Sequence, residues 1–243
     1  MWVPRWLGES YARLYAILEL ETFTLSDVEK TLCIDEGRAR VIVSKLHRYG
    51  LLIVFEKKRP RIYRLLSPDT FMMLASDTVR KVEIPQERYL ELIYLCYRVL
   101  RRKIRIKSFV VYGSVARGTA KENSDLDLLV VSDSFHGSMG RRIELLANIV
   151  YEHCRNEILF LRKKGYNVSL SFYPLKTVEV ERLPIILLDM VDDARIVYDE
   201  DRFFELILLK LKEKLLKAKR VKTEKGWYWD LKPDYKPYEV VEL

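Results

Sequence analysis

The pattern of apolar and polar residues predicts strands and helices in alternation over the second half of the chain. Apolar runs at residues 109–112 and 126–131 have the length of buried strands, and residues 166–173 alternate apolar with polar positions as a half-buried strand does. Residues 141–164 carry apolar positions at helical spacing, and residues 175–193 are also predicted to be helical. This alternation predicts an α/β (α+β) fold in which helices flank a mixed sheet.

The first 75 residues have a different pattern, which predicts three helices followed by a hairpin. The second helix is short, with Ser26 as its N-cap and Glu29 as the capping-box partner. The third begins at residue 35 or 36 and ends at Gly50. Two apolar runs around a basic turn then predict the hairpin. This order resembles that of bacterial and archaeal winged helix-turn-helix domains, so we expect such a domain over residues 1–75.

Three further units are predicted from changes of composition along the chain. They are a linker and connecting helix at 76–103, an α/β domain at 104–200, and a final helix with an aromatic tail at 201–243. The connecting helix is predicted over 86–103 and the final helix over 201–220. The final helix is apolar on one wide side and lysine-rich on the other, which predicts packing on the core or a homodimer seam. We expect the tail to fold back, because Val240, Val241 and Leu243 favour burial.

The residues that best indicate a function lie between and at the ends of the two apolar strands at 109–112 and 126–131. Asp125 and Asp127 are two positions apart in a predicted strand, so their side chains point to the same face. Neighbouring carboxylates repel unless a cation lies between them, and Mg²⁺ is commonly held by carboxylates together with substrate phosphates. Gly113 and Ser114 end the preceding strand, where a glycine lets backbone N–H groups approach a phosphate and a serine adds a hydroxyl donor. If the strands pair, these residues form one site for a nucleoside triphosphate and Mg²⁺.

This region resembles the signature of the DNA polymerase beta-like nucleotidyltransferase superfamily, in particular its minimal branch. The matching residues, in order, are Gly113-Ser114, Ala116-Arg117-Gly118, Ser124 and Asp125-Leu126-Asp127. The resemblance is strong over residues 104–135 and implies a nucleotidyltransferase fold for the 104–200 domain.

The resemblance also implies a role for each residue of the site. Gly113 and Ser114 would hold the triphosphate. Asp125 and Asp127 would be catalytic and would hold magnesium ions, which neutralise phosphate charge as pyrophosphate leaves. Arg117 would contact a phosphate or remain a surface arginine. Ser124 is assigned to the same nucleotide site, where it would cap the turn before the first aspartate.

The third carboxylate that members of this superfamily usually carry on a later strand is missing. The corresponding strand at 166–173 offers Ser169 and Ser171 on its polar face, and a serine is a poor metal ligand and no base near neutral pH. Three alternatives stay open: an acceptor that is already ionised, a carboxylate from elsewhere, or nucleotide binding with little catalysis. The candidate carboxylates are Glu179, Glu181, Asp189, Asp192 and Asp193.

The predicted winged helix suggests a second, macromolecular partner. Its third helix would enter the major groove and its hairpin would lie against phosphates. The candidate contacts to DNA or RNA are the cations of these two elements, namely Arg38, Lys45, Arg48, Lys57, Lys58, Arg59 and Arg61. Because residues 1–80 carry only a small excess of positive charge, a protein-interaction surface is the alternative.

Composition narrows the class of protein further. The 43 lysines and arginines exceed the 35 acidic residues, giving a net charge of +8 that suits an anionic partner. The 3 cysteines are far apart and no Cys or His cluster has metal-ligand spacing, so zinc is not expected. No apolar run is long enough to span a bilayer and no secretory signal is evident, so we expect a cytoplasmic protein without membrane association. Few amide side chains among many charged ones indicate a thermophilic source.

The sequence therefore supports two hypotheses from different classes. In the first, the protein is an enzyme that binds a nucleoside triphosphate with Mg²⁺ and transfers a nucleoside monophosphate to an unknown acceptor. In the second, it is a catalytically weak, nucleotide-sensing winged-helix regulator or an antitoxin-like protein. Neither the base preference nor the acceptor is encoded in a recognisable motif.

Overall fold

The N-terminal part of the chain is a small helical unit with a three-stranded antiparallel sheet. The computed structural model describes residues 3–215, 219–223 and 226–230. The sheet has the order β1-β3-β2. The elements are α1 (Arg5–Leu18), β1 (Thr22–Phe23), α2 (Leu25–Leu32), α3 (Glu36–Tyr49), β2 (Leu52–Glu56) and β3 (Ile62–Leu65). The three helices and the hairpin are present where the sequence predicts them, whereas assignment to the winged-helix class stays a prediction.

Local chemistry explains where the helices of this unit begin and end. Asp35 caps α3 by accepting a hydrogen bond from the Arg38 N–H at 3.0 Å, and Gly50 ends it in the left-handed conformation. The predicted cap of α2 is wrong: Thr24 is the N-cap and Asp27 is its capping-box partner, not Ser26 and Glu29. The N-cap therefore lies two residues earlier than expected, because Thr24 and Asp27 form an equally good reciprocal pair.

A connecting region links this unit to the second domain. It comprises α4 (Pro68–Ala75), an irregular segment, a 3₁₀ turn (Glu87–Tyr89) and α5 (Leu90–Arg101). The helix predicted over 86–103 is thus shorter, since a 3₁₀ turn replaces its first turn. Most of α5 is buried, which suits its broad apolar side.

The second domain is built on a mixed sheet with the order β6-β5-β4-β7, which confirms the predicted fold class. β4 pairs antiparallel with β5 and β7, whereas β5 and β6 are parallel. The strands are β4 (Ser108–Tyr112), β5 (Leu126–Val131), β6 (Leu170–Leu175) and β7 (Arg195–Asp199). The helices are α6 (Gly113–Arg117), α7 (Met139–Lys163), α8 (Thr177–Glu181) and α9 (Phe203–Leu215).

The two faces of this sheet are covered by different layers. Leu126, Leu128 and Val130 pack in one core with residues of α5 and α7. Val110, Tyr112 and Leu129 pack in another with α8, α9 and the 3₁₀ segment Ile185–Met190. Alternation along β5 therefore directs Asp127 toward the second layer, on the same side as Leu129.

The end of the chain departs from two expectations. Residues 175–193, predicted as helical, divide into α8 and the 3₁₀ segment, with Pro184 at the start of the latter. The final helix, predicted to reach residue 220, is wrong at its end, because β8 (Lys219–Thr223) pairs with β9 (Gly226–Asp230) as an antiparallel hairpin rich in residues that favour strands. The predicted fold-back of the tail at 231–243 lies outside the described residues.

Among the residues that the structure describes, none of the helices combines the length and apolarity that a bilayer span requires.

A buried ion pair connects the N-terminal unit with the second domain. Arg64 of β3 donates to both carboxylate oxygens of Glu157 on α7, at 2.5 and 2.8 Å, and its Nε donates to the Leu20 carbonyl at 2.6 Å. The guanidinium also lies 3.8 Å from the ring centroid of Phe160. Both partners of the pair are nearly inaccessible to solvent, so the two units share a polar contact that water does not screen.

Candidate active site

The glycine turn and the acidic strand meet at one edge of the mixed sheet. Tyr112, the last residue of β4, pairs with Asp127 of β5. Gly113 follows with a φ of +72°, and a Cβ built on it would lie 2.1 Å from Asp127 Oδ2. The carboxylate therefore occupies the space that a side chain at residue 113 would need, and only glycine fits this position.

Asp127 lies in an environment that disfavours its charge. It is about half buried, and burial raises the pKa of this carboxyl above its ordinary value. A hydrogen bond from the Ser171 hydroxyl and the positive charge of Arg117 act in the opposite direction. The negative charge of Asp125, which is exposed, raises the pKa further. The structure thus brings Arg117 and Asp125 within electrostatic range of Asp127.

The other two predicted nucleotide contacts occupy different positions in the loop. Ser114 is partly buried in α6, and its carbonyl accepts the Thr119 N–H at 2.9 Å. The Ser124 hydroxyl accepts the Lys121 N–H at 2.8 Å, so this side chain closes the turn that leads into Asp125. Its contribution is therefore to the shape of the loop.

Serines occupy the position at which a third carboxylate is expected. Ser171 lies beside Asp127 in the parallel register, and the Ser169 carbonyl accepts the Leu126 N–H at 2.8 Å. Among the described residues, no group of three or more acidic, His or Cys side chains converges closely enough to hold one metal ion.

One carboxylate from elsewhere acts electrostatically on the site. Asp189, on the 3₁₀ segment Ile185–Met190, is exposed, and its charge raises the pKa of Asp127. It contributes in the same way at Tyr112, whose pKa is raised by burial first and then by Asp127. Of the other candidates, Glu179 is held by Arg142 at 2.6 and 3.0 Å.

Sequence reasoning missed a set of contacts to the loop between α6 and β5. Gln86 donates through Nε2 to the Ala120 carbonyl at 2.8 Å and accepts the Ala120 N–H at 3.1 Å. A Cβ built on Gly118 would lie 2.4 Å from the Cβ of Pro85. The linker therefore packs directly on the candidate nucleotide loop. The only sequence signal was that Gln86 is the single glutamine of the chain.

The predicted nucleic-acid contacts divide into two groups. The hairpin residues Lys57, Lys58, Arg59 and Arg61 are exposed. On α3, Arg38 is exposed beside the apolar Val41, and Lys45 is half-buried. Arg48 is also exposed, and its backbone carbonyl accepts a hydrogen bond from Lys81 Nζ of the linker at 2.6 Å. This face of α3 thus combines two exposed arginines with Val41 and the partly buried Lys45.

Comparison with known proteins identifies the class to which this site belongs. A family model described as nucleotidyltransferase domain matches residues 96–239. A relative from Methanocaldococcus jannaschii, provisionally named a protein adenylyltransferase, is 30% identical over 122 residues, which cover 49% of this chain and 78% of the relative. The chain therefore belongs to the nucleotidyltransferase domain family.

Two solved structures resemble the chain more distantly. A toxin-antitoxin structure with AMP-PNP is 18% identical at a TM-score of 0.34, covering 50% of this chain and 84% of its own. An archaeal chromatin protein is 13% identical at a TM-score of 0.27, covering 89% of this chain and 94% of its own. These scores are too low to carry an argument about structure or function.

Proposed function

We propose that the protein binds a nucleoside triphosphate with Mg²⁺ between Gly113 and Asp127 and transfers the nucleoside monophosphate to an acceptor. The observation that carries this proposal is the fit of the Asp127 carboxylate into the space left by the missing side chain of Gly113. It puts a potential metal ligand directly beside the backbone turn that would receive the phosphates. Membership of the nucleotidyltransferase domain family supports the same chemistry.

The donor set suits magnesium. Asp125 and Asp127 offer carboxylate oxygens on one strand edge, and burial together with mutual repulsion makes the charge of Asp127 unfavourable without a cation. Mg²⁺ is typically bound through few carboxylates with substrate phosphates completing its shell. These two aspartates would hold the ion, which would neutralise charge on the phosphates when bound.

The remaining groups of the site would bind and orient the nucleotide. The turn at Gly113 lets phosphate oxygens approach backbone N–H groups, and the Ser114 hydroxyl can donate a further hydrogen bond. Arg117 supplies a positive charge within range of Asp127. The Arg117 guanidinium would donate hydrogen bonds to phosphate oxygens once a cation neutralises the carboxylates.

Two routes remain for deprotonating the acceptor. The charge of Asp189 is close enough to raise the pKa values of both Asp127 and Tyr112. We propose Asp189 as the carboxylate that accepts the proton of the acceptor. The other route is an acceptor that is already ionised. The provisional name of the Methanocaldococcus jannaschii relative favours ATP as donor and a protein side chain as acceptor for the first trial.

The test is transfer of label from α-phosphate-labelled ATP, GTP, CTP or UTP, with Mg²⁺, to the protein itself or to proteins of a cell extract. We expect labelled product with the unmodified chain and none with Asp125→Asn or Asp127→Asn. Asp133→Asn is the matched control, because this exposed residue lies just beyond the opposite end of β5. Transfer that survives both active-site variants would refute the assignment of the aspartates.

A second function is supported by the exposed hairpin cations. We propose that the N-terminal unit is a winged helix that contacts DNA or RNA phosphates through Lys57, Lys58, Arg59 and Arg61, with the second domain sensing nucleotide. Such binding weakens steeply with salt, because phosphate contacts release counterions. Affinity for duplex DNA that does not change with salt concentration would contradict it.

A further inference from the structure

A cavity lies where the N-terminal unit, the linker and the mixed sheet meet. Its volume is about 720 Å³, which is within the range of small-molecule sites. It is bounded by the end of α3, by β2, by the linker at 81–87, by the start of α5 and by Arg195 of β7. None of the aspartates of the candidate active site is among its lining residues.

The lining combines an apolar wall with a cluster of cations. The apolar part is formed by Leu52, Ile53, Leu66, Val82, Ile84, Leu90 and Tyr94. Arg48, Lys81 and Arg195 supply positive charge. The lining also contains two acids, Glu83 and Glu87. Glu83 is exposed, and Glu87 is already compensated, since it contacts His47 Nε2 at 2.9 Å and accepts the Val54 N–H at 2.7 Å. The lining therefore suits a ligand with an apolar body and a negative group.

Arg195 lines the cavity from the side of the mixed sheet. An anionic oxygen near its guanidinium would accept a charge-assisted hydrogen bond from it. The side chain projects from β7, whose backbone is fixed by pairing of Arg195 with Val111 of β4.

The same linker that lines the cavity also contacts the candidate nucleotide loop. Glu87 faces the N-terminal unit through His47, while the preceding residue, Gln86, exchanges two hydrogen bonds with Ala120. Pro85 lines the cavity and packs on Gly118. Three consecutive residues thus connect the cavity with the loop between α6 and β5.

We propose that this cavity is an effector site for a small organic anion with an apolar or aromatic body, and that residues 85–87 transmit its occupancy to the nucleotide loop. Binding itself is independent of the proposed function, whereas the effector role rests on it. Both parts can be measured without nucleotide, so that their failure is distinguishable from failure of the transferase proposal.

The binding test uses 8-anilinonaphthalene-1-sulfonate as probe, because it joins an aromatic body to a sulfonate. Fluorescence titration of the full chain should saturate at one probe molecule per chain. We expect Arg195→Gln and Arg48→Gln each to weaken binding by about tenfold through loss of a charge-assisted contact. Arg105→Gln is the control, since this exposed arginine pairs with Glu200 elsewhere. Binding that does not saturate, or that both cavity variants leave unchanged, would overturn the proposal.

The coupling test is hydrogen–deuterium exchange of residues 118–124 with and without saturating probe. Occupancy should slow exchange in this loop in the unmodified chain, and Gln86→Ala should remove the effect while the probe still binds. Exchange that is unaffected by the bound probe would overturn the transmission through residues 85–87.

Discussion

At the scale of single residues, the contact between Gly113 and Asp127 organises the site. The sequence could predict that these residues come together, because strands that follow each other along the chain tend to pair. It could not single out Asp189 among five candidate acids, since the approach of the 3₁₀ segment to Asp127 depends on packing of the second core.

Gly113→Ala is expected to disrupt the site. The new Cβ would collide with Asp127 Oδ2, 2.1 Å away, and the left-handed backbone at +72° would become strained. We expect a loss of stability of about 1–3 kcal/mol. We also expect no thermal stabilisation by ATP with Mg²⁺, as measured by a thermal shift assay.

Gly140→Ala is the matched control for this change. A Cβ at residue 140 meets no atom within 4 Å, and the residue lies in α7. Alanine should stabilise the helix by about 0.5–1 kcal/mol and leave the nucleotide response intact. A nucleotide response of Gly113→Ala equal to that of this control would contradict the proposed geometry.

At the scale of elements, the pattern of α5 predicts burial but not what is buried with it. Glu91 would be expected on an exposed face, yet it is 2% exposed and accepts the Ser67 N–H at 2.9 Å, next to the start of α4. Helical periodicity carries no information about such a partner, because Ser67 belongs to a different element. The polar contact explains why an acid is tolerated within the core.

Glu91 should make stability depend on pH. Burial raises the pKa of this carboxyl above its ordinary value of 4.5, although hydrogen bonds from Ser67 oppose the shift. Because the pKa of Glu91 is raised in the folded state, its contribution to the free energy of unfolding is complete below the unfolded-state pKa. This contribution is lost as the pH rises through the folded-state pKa. Glu91→Gln keeps an acceptor for Ser67 but does not titrate.

We therefore expect Glu91→Gln to become more stable relative to the unmodified chain as the pH rises from about 4 to about 8. Urea unfolding at a series of pH values measures the difference. Glu144→Gln serves as control, because it makes the same chemical change at an exposed position of α7. Parallel profiles for Glu91→Gln and the unmodified chain would show that Glu91 does not titrate as inferred.

At the scale of the whole molecule, the order of most helices and strands was predictable, whereas the mutual placement of the two units was not. Arg64 and Glu157 are 93 positions apart, and local periodicity cannot pair residues at that separation. The contact between Gln86 and Ala120 was equally hidden from local periodicity, because these residues are 34 positions apart. The parts missed by sequence reasoning are thus the long-range polar contacts that join the units.

The Arg64–Glu157 pair is expected to couple the stabilities of the two units. Glu157→Ala or Arg64→Ala alone should cost about 3–5 kcal/mol, because each leaves an unpaired buried charge. The double variant should cost clearly less than the sum of the single variants. Chemical unfolding in a double-mutant cycle measures this coupling, and additive losses would mean that the two side chains do not interact.

The central claim is that Gly113 and Asp127 form part of one magnesium–nucleotide site, and the most direct test is equilibrium titration of the protein with ATP and the other triphosphates in the presence of Mg²⁺. We predict saturable binding of at least one triphosphate that requires Mg²⁺, is abolished in Asp127→Asn and persists in Asp133→Asn. Failure of every triphosphate to bind the unmodified chain, or equally tight Mg²⁺-dependent binding by Asp127→Asn, would contradict the account.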